Sequence, residues 1–392
     1  LSPSSAASDV YKRQDLADVT RLQAWNTTTN DIAIDASGDL ILDYLGMIPA
    51  APSDVAVEND SGGEIQINVH STLTVDDKVI TQGGDVTLTS DENVVHNANG
   101  DVETAGGNYY GTATSGYYWM HDDALIDADT GNAMIVAGGD ITLGGVIGEN
   151  VYVASSSGGI IDGGDTYTEI VATNADLYAA TGIGYVLVAP AADAFLEISV
   201  DRLNAYNSTS GDINIKEENE ILLDDVINDG GDITILSGGT QWIDLVRAVG
   251  SVYLRSGGDI LDYNGPAINI IGGDDSTLWA KGIIGTYLDA LDVYINPGDL
   301  AIHSEDEWHE VSVNIVGTVE PSDDLKFLNV PPGLVLLNFR VLGGENVERY
   351  FQSILNDNPY LINIWTPYFG RLIFYVDDLL FEKRPMPVEA GE

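Results

Sequence analysis

One short phrase recurs along this chain and constrains its fold more than any other feature: Gly or Asn, an acidic residue, then an apolar, a variable and another apolar residue. Its copies include NDIAI, GDLIL, GEIQI, GDVTL, GDITL, GDINI, GDITI, GDILD and GDLAI. Apolar residues at alternate positions predict strands that are buried on one face. Each run is too short to form a stable hairpin or sheet by itself. The strands must therefore find their partners in other copies of the phrase.

Longer segments repeat in the same order, which indicates tandem structural units rather than low complexity. NVYVASSSGGIID at 150–162 matches SVYLRSGGDILD at 251–262, and LYAATGIG at 177–184 matches LWAKGIIG at 278–285. Both pairs are offset by about 100 residues. Because the order of the segments is kept as well as their letters, the chain is interpreted as a repeat protein.

Stacking is the way in which such small units can bury their apolar faces. Some phrases come in pairs eight residues apart, as Asp31 and Asp39 do, and Gly, Ser and Asn supply the corners between strands. An antiparallel sandwich is the main competing fold, but it would not explain this pairing. We therefore predict an all-β parallel β-helix (β-solenoid), with about 15 turns of roughly 20 residues each.

The charge balance limits the partners of the chain. It has 62 acidic and 15 basic residues, a net charge of −47 and no cysteine. Such a surface repels nucleic acid and anionic membranes, so neither is expected as a partner. The absence of cysteine excludes disulfides and thiolate metal sites. No apolar run of about 18 residues occurs, so no membrane insertion is predicted.

The phrases GDITL, SGGDILD and LNAYNSTSGDINI resemble the haemagglutinin-type repeats of filamentous-haemagglutinin-like exoproteins and giant autotransporter-like adhesins. The resemblance covers about Leu16 to His303. It implies a right-handed β-helix that is exported as an unfolded chain. It also implies an adhesive or fibre-forming role outside the cell or at its surface.

The sequence divides into three segments. Residues 1–14, LSPSSAASDVYKRQ, resemble translated adapter sequence and are expected to be a non-native or disordered leader, so that the true protein would continue upstream. Residues 15–316 form the predicted β-helix repeat domain. Residues 317–392 lack the Gly-Asp phrase and form a small capping or docking segment of mixed α/β structure.

This C-terminal segment combines basic and aromatic side chains. A strand is predicted over Gly333–Leu342, and an amphipathic helix over Glu345–Leu355. As a cap, the segment would cover the open edge of the last turn; as a docking element, it would join one copy of the chain to the next. The residues predicted to take part in self-assembly are Tyr350, Phe351, Trp365, Tyr368, Phe369 and Phe374.

The acidic residue of the recurring phrase lies beside a turn, where it can accept a backbone N–H locally. Stacked turns would place these carboxylates about 4.8 Å apart, where each pair repels by about 1 kcal/mol in water. Staggering, salt or bound Ca²⁺ would relieve the repulsion, and no other cofactor is expected. The candidate Ca²⁺ ligands are Asp85, Asp140, Asp212, Asp232 and Asp259.

These patterns predict a secreted structural or adhesive protein, such as a fibre subunit, rather than an enzyme. Its expected partners are a second copy of itself and a cell-surface or glycan receptor. Because β-helices also include polysaccharide lyases and hydrolases, a carbohydrate-active enzyme is one alternative, with Asp224–Asp225 as an example of its carboxylate pairs. A calcium-binding matrix protein is the other alternative. The segment HSEDEWHE, which begins at His303, is interpreted as a solvated acidic loop rather than a metal site.

Overall fold

The computed structural model confirms the predicted fold class, because the chain is an all-β parallel β-solenoid of about 11 turns. It describes residues 14–16, 19–46, 54–163, 167–185, 195–286, 288–295, 298, 300–304, 311–317, 325–327, 333–341, 361–366 and 371–376. The chain divides into two compact units, Leu1–Glu218 and Asn219–Glu392. No α-helix occurs within the described ranges. The helix predicted at Glu345–Leu355 and residues 1–13 of the predicted leader lie outside them.

The first unit contains strands β1 to β23. Their bounds are β1 Gln14–Leu16, β2 Arg21–Leu22, β3 Ala24–Asn26, β4 Ile32–Ala36, β5 Leu40–Leu42, β6 Val55–Asn59, β7 Ile65–Val69, β8 Leu73–Val75, β9 Lys78–Thr81, β10 Val86–Ser90, β11 Val94–His96, β12 Val102–Glu103, β13 Tyr109–Ala113, β14 Tyr118–Met120, β15 Leu125–Asp127, β16 Ala133–Ala137, β17 Ile141–Leu143, β18 Gly145–Ser155, β19 Ile160–Asp162, β20 Ile170–Ala179, β21 Ile183–Tyr185, β22 Leu196–Asn207 and β23 Ile213–Glu217.

Three parallel ladders run through this unit, so each turn has three sides. The first ladder contains β4, β7, β10, β13 and β16, the second contains β5, β8, β11, β14 and β17, and the third contains β6, β9, β12 and β15. The paired corner residues Asp85, Asn108 and Asn132 are 23 and 24 residues apart. Other paired corners, such as Asp140 with Gly159, are 19 residues apart, and the chain has about 11 turns in place of the roughly 15 that we predicted.

The second unit contains strands β24 to β37. Their bounds are β24 Ile221–Asn228, β25 Ile233–Ser237, β26 Gln241–Ala248, β27 Val252–Ser256, β28 Ile260–Asp262, β29 Ile270–Gly272, β30 Ser276–Ala280, β31 Leu291–Ile295, β32 Leu300–Ser304, β33 Val311–Gly317, β34 Leu325–Phe327, β35 Gly333–Val341, β36 Leu361–Thr366 and β37 Arg371–Val376. Strands β25, β27, β30, β32 and β34 form one parallel ladder, and β29, β31, β33 and β35 form another.

The period-two pattern of the phrase places alternate side chains in the interior. In β7, Ile65, Ile67 and Val69 are buried, whereas Gln66 points outward and is exposed. The register then stacks like residues of successive turns on one another. One interior column consists of Ile67, Leu88, Gly111, Ile135, Val153, Leu177 and Ala205. Burial of these columns removes apolar surface from water and is the main force that holds the turns together.

A polar group interrupts the aliphatic interior of the first unit. His96, Tyr109 and Tyr118 are each 0% exposed. His96 Nδ1 lies 2.7 Å from the carbonyl oxygen of Gly100, so it carries the proton and donates it there. The hydroxyl of Tyr118 then donates to His96 Nε2 at 2.8 Å and accepts from the hydroxyl of Tyr109. Gly111 leaves room for the two rings, since a Cβ atom there would lie 2.7 Å from each of them.

In the second unit the parallel ladder ends in antiparallel pairing. Strand β37 pairs antiparallel with both β35 and β36, and the strand predicted over Gly333–Leu342 is confirmed as β35. Of the predicted self-assembly residues, Trp365 lies in β36 and Phe374 in β37. The others, Tyr350, Phe351, Tyr368 and Phe369, lie outside the described residues. Pairing of β37 with β35 covers one edge of the last parallel strand, as a cap requires.

Candidate functional site

The acidic residues of the recurring phrase connect one turn to the next. At four corners a carboxylate oxygen accepts the backbone N–H of the equivalent corner one turn later. The pairs are Asp85 with Asn108 at 2.8 Å, Asp140 with Gly159 at 2.9 Å, Asp232 with Ser251 at 2.7 Å and Asp259 with Ile283 at 2.8 Å. Our prediction of a local acceptor was therefore wrong for these four residues. Asp212 is the fifth predicted calcium ligand, and its backbone oxygen accepts from Ile183 N at 2.8 Å.

This corner contact needs an acceptor and not a charge. Asn93 Oδ1 accepts from Tyr117 N, and Asn108 Oδ1 accepts from Asn132 N, both at 3.0 Å and both across one turn. Among the described residues, none of the five predicted calcium ligands belongs to a group of three converging acidic or histidine side chains. Binding of Ca²⁺ at the corners stays a prediction.

An amide ladder runs along one edge of the first ladder of strands. Asn132, Asn150 and Asn174 each donate from Nδ2 to the Oδ1 atom of the asparagine one turn earlier, at 2.9, 2.6 and 2.7 Å. The first acceptor is Asn108, which itself donates to Asp85 at 3.1 Å. Asn108 and Asn132 immediately precede β13 and β16, whereas Asn150 and Asn174 lie within β18 and β20, so the ladder borders the outward surface of the strand residues that follow.

An aromatic surface lies beside the amide ladder. We call it the aromatic face and define it as the outward positions of β13, β16, the second half of β18 and the end of β20: Tyr110, Thr112, Met134, Val136, Tyr152, Ala154 and Tyr178. Tyr110, Met134 and Tyr152 are aligned by register on successive turns. The rings of Tyr152 and Tyr178 are 5.4 Å apart.

The aromatic face is uncharged and open to solvent. Tyr110, Met134 and Tyr178 are 37%, 38% and 39% exposed. None of its members is acidic or basic, although the chain as a whole carries a net charge of −47, and Asp176, the outward residue of β20 in register with Tyr152, borders the face. A cluster of exposed aromatic and apolar side chains on a soluble β-sheet is typical of a binding surface. The sequence analysis did not identify the aromatic face, because its one sequence signal was the Tyr repeated in NVYVAS and SVYLRS.

A second site is buried in the first unit. We call it the acidic corner and define it as Asp162 at the end of β19, Glu169 before β20 and Glu197 in β22. These three residues are 1%, 3% and 3% exposed, respectively. One carboxylate oxygen from each lies within 4.8 Å of the others. Lys216 Nζ lies 3.0 Å from Glu197 Oε1, which brings one cation to this group.

The acidic corner favours a bound proton or cation. Burial raises the pKa of Glu169 to about 9, and the charge of Asp162 adds to the effect. Three carboxylates are also oxygen ligands of the kind that Ca²⁺ takes. The sequence analysis did not identify these residues. The one local signal is an acid between apolar residues, as Glu197 lies between Leu196 and Ile198.

The carboxylate pairs of the enzyme alternative are found at exposed or half-buried corners. Burial raises the pKa of Asp244, and its hydrogen bond with Asp224 adds to this rise. Arg247 forms an ion pair with Asp229 at 3.0 Å.

The acidic segment that begins at His303 is described only in part. His303 stacks on Trp279 with the ring centroids 5.4 Å apart, while residues 305–310 of the segment lie outside the described part of the chain.

Within the described residues, no helix has the length and apolar character needed to cross a membrane. Comparison with protein-family models, with curated proteins and with solved structures finds no match in any of the three. What this chain does must therefore be inferred from its own residues.

Proposed function

We propose that this chain is an exported structural and adhesive β-solenoid, without catalytic activity, which binds a cell-surface glycan through the aromatic face. The observation that carries the proposal is the contrast between this uncharged face and the net charge of −47 on the whole chain. The acidic surface keeps the protein soluble and repels anionic polymers. The aromatic face is the part of the first unit that a neutral partner can approach closely.

The geometry of the face favours a linear neutral polysaccharide. Parallel strands place Tyr110, Met134 and Tyr152 one turn apart, which is about 4.8 Å for each step. This spacing is close to the length of one sugar ring, so that successive rings can stack on successive side chains. A second copy of this chain is a weaker candidate for the same surface, since two strongly acidic bodies repel each other.

The test is a glycan-binding experiment with matched tyrosine variants. The triple variant Tyr110→Ser, Tyr152→Ser, Tyr178→Ser should lose at least tenfold in affinity for a neutral polysaccharide found in a panel of neutral and acidic polymers. The control removes three exposed tyrosines outside the face, Tyr117, Tyr167 and Tyr263, and should bind like the unmodified protein. Circular dichroism verifies folding. Binding of acidic polymers alone, or equal loss in both triple variants, would contradict the proposal.

The fibre role is tested separately through the C-terminal segment. We propose that residues 317–392 join copies of the chain end to end, because six of the fifteen basic residues lie there but only eleven of the 62 acidic residues. The expected result is that electron microscopy shows filaments of the full chain and single particles after Trp365→Ser and Phe374→Ser. The same preparations with Ca²⁺ or EDTA show whether calcium contributes to assembly.

A further inference from the structure

The acidic corner has a counterpart in the second unit. We call it the amide corner and define it as Asp262, Asn269 and Asp292, which are 6%, 0% and 2% exposed. The matching segments 150–162 and 251–262 end at Asp162 and at Asp262. Glu169 and Asn269 follow these aspartates at the same distance along the chain. The two corners are therefore two copies of one local structure that differ in one chemical group.

The backbone contacts of the two corners agree closely. In the first unit, Glu169 N donates to Glu197 O at 2.9 Å, and Glu197 N donates to Glu169 Oε2 at 2.8 Å. In the second unit, Asn269 N donates to Asp292 O at 2.9 Å, and Asp292 N donates to Asn269 Oδ1 at 2.8 Å. Oε2 of Glu169 thus accepts the same backbone hydrogen bond in the first unit as Oδ1 of Asn269 accepts in the second.

The amide nitrogen of Asn269 makes a hydrogen bond that a fully ionised acidic corner could not make. Asn269 Nδ2 donates to Asp262 Oδ1 at 2.8 Å. An ionised carboxylate has only acceptors, so Glu169 could not make the equivalent contact with Asp162. Full ionisation would also bring three buried carboxylates together, of which Glu197 has the ammonium group of Lys216 as an ion-pair partner. Burial of unbalanced charge is strongly unfavourable.

We propose that the acidic corner is a buried proton-binding site, in which Glu169 keeps its proton at neutral pH and donates it to the carboxylate of Asp162, in the place of the Asn269 amide. The inference does not depend on the adhesive function. The ionisable groups that face Glu169 from the neighbouring strands are Asp162 of β19 and Glu197 of β22, with Lys216 of β23 paired to the latter.

The proton makes the first unit sensitive to alkaline pH. The pKa of Glu169 is raised from 4.5 to about 9 in the folded chain. The folded state therefore holds one more proton than the unfolded state between these values. Stability linked to this proton is complete below pH 4.5, falls as pH rises and is lost above about pH 9.

The experiment compares Glu169→Gln with the unmodified full chain in urea unfolding from pH 5 to pH 9. The glutamine side chain keeps the acceptor oxygen and adds an N–H donor that does not titrate. The variant and the unmodified chain should therefore be about equally stable near pH 5. The unfolding equilibrium constant of the unmodified chain should then rise up to tenfold per pH unit relative to the variant. The control Glu64→Gln, at an exposed position, should follow the unmodified chain.

The reciprocal variant provides a second test of the proposal if Glu169→Gln fails to fold. Asn269→Asp places a carboxyl group in the amide corner and should introduce a similar loss of stability at alkaline pH. A difference between Glu169→Gln and the unmodified chain that does not change with pH would overturn the proposal. So would stabilisation of the unmodified chain by Ca²⁺ at pH 7 that disappears in Glu169→Gln, because the corner would then hold a metal ion in place of the proton.

Discussion

Replacement of Tyr118 by phenylalanine removes a single oxygen atom from the buried His96–Tyr118–Tyr109 group and should destabilise the protein measurably. That oxygen makes two contacts: it donates to His96 Nε2 at 2.8 Å and it accepts from the hydroxyl of Tyr109. All three residues are 0% exposed, so water cannot replace it. The substitution changes no apolar packing, because the phenylalanine ring occupies the same place.

The size of the effect follows from the groups that lose their partner. A buried polar atom without a hydrogen bond costs about 1–3 kcal/mol. His96 Nε2 and the Tyr109 hydroxyl both lose one contact, which gives about 2–6 kcal/mol if neither finds another. The Tyr109 hydroxyl lies 3.5 Å from His96 Nε2 and can move toward it. If it closes that gap, both groups regain a partner and the loss falls to that of one hydrogen bond, about 0.5–1.5 kcal/mol.

Urea unfolding at pH 7 measures this loss, and the neighbouring tyrosine provides the control. Tyr117 is 46% exposed, so Tyr117→Phe should change the free energy of unfolding by no more than about 0.5 kcal/mol. Tyr118→Phe should lose more than this, between about 0.5 and 6 kcal/mol according to whether the Tyr109 hydroxyl moves. If the two variants are equally stable, the hydroxyl of Tyr118 does not satisfy His96 and the reasoning is refuted.

Three further predictions concern the interior and the corners. Gly111→Ala should destabilise by about 1–3 kcal/mol in urea unfolding, because its Cβ would lie 2.7 Å from both tyrosine side chains; Gly38→Ala, with nothing within 4 Å, should have no effect. Asp140→Asn should be nearly neutral, whereas Asp140→Ala should lose about 1 kcal/mol, since asparagine keeps the acceptor for Gly159 N. Burial lowers the pKa of His96 from 6.5 to about 4, so in the Glu169→Gln variant, which lacks the opposite pH dependence of Glu169, the melting temperature should fall as pH decreases through this range, and an unchanged melting temperature of that variant would contradict the burial of a neutral imidazole.

The fold was predictable because its signal is local and repeated. The alternation in a phrase such as GDVTL predicts the buried Val86 and Leu88 of β10, and the spacing of Asp31 and Asp39 predicts two successive strands of one turn. The number of turns was not predictable in the same way. A third side of some turns, such as β9 or β15, lacks the Gly-Asp phrase and was not counted.

The sequence by itself determined the repeated strands. The sites depend on contacts between residues of neighbouring turns, which are distant in sequence. Alternating apolar residues in a phrase that recurs in pairs predict a stack of short parallel strands, because stacking buries the small apolar face of each copy. The sequence also shows that Asp162 and Asp262 are equivalent. Only the tertiary structure decides that Glu169 is buried against Asp162 where Asn269 meets Asp262, or that Tyr152 lies beside Tyr178. Burial and contact across turns, rather than residue type, set the pKa of a carboxyl group and the partner of a corner aspartate.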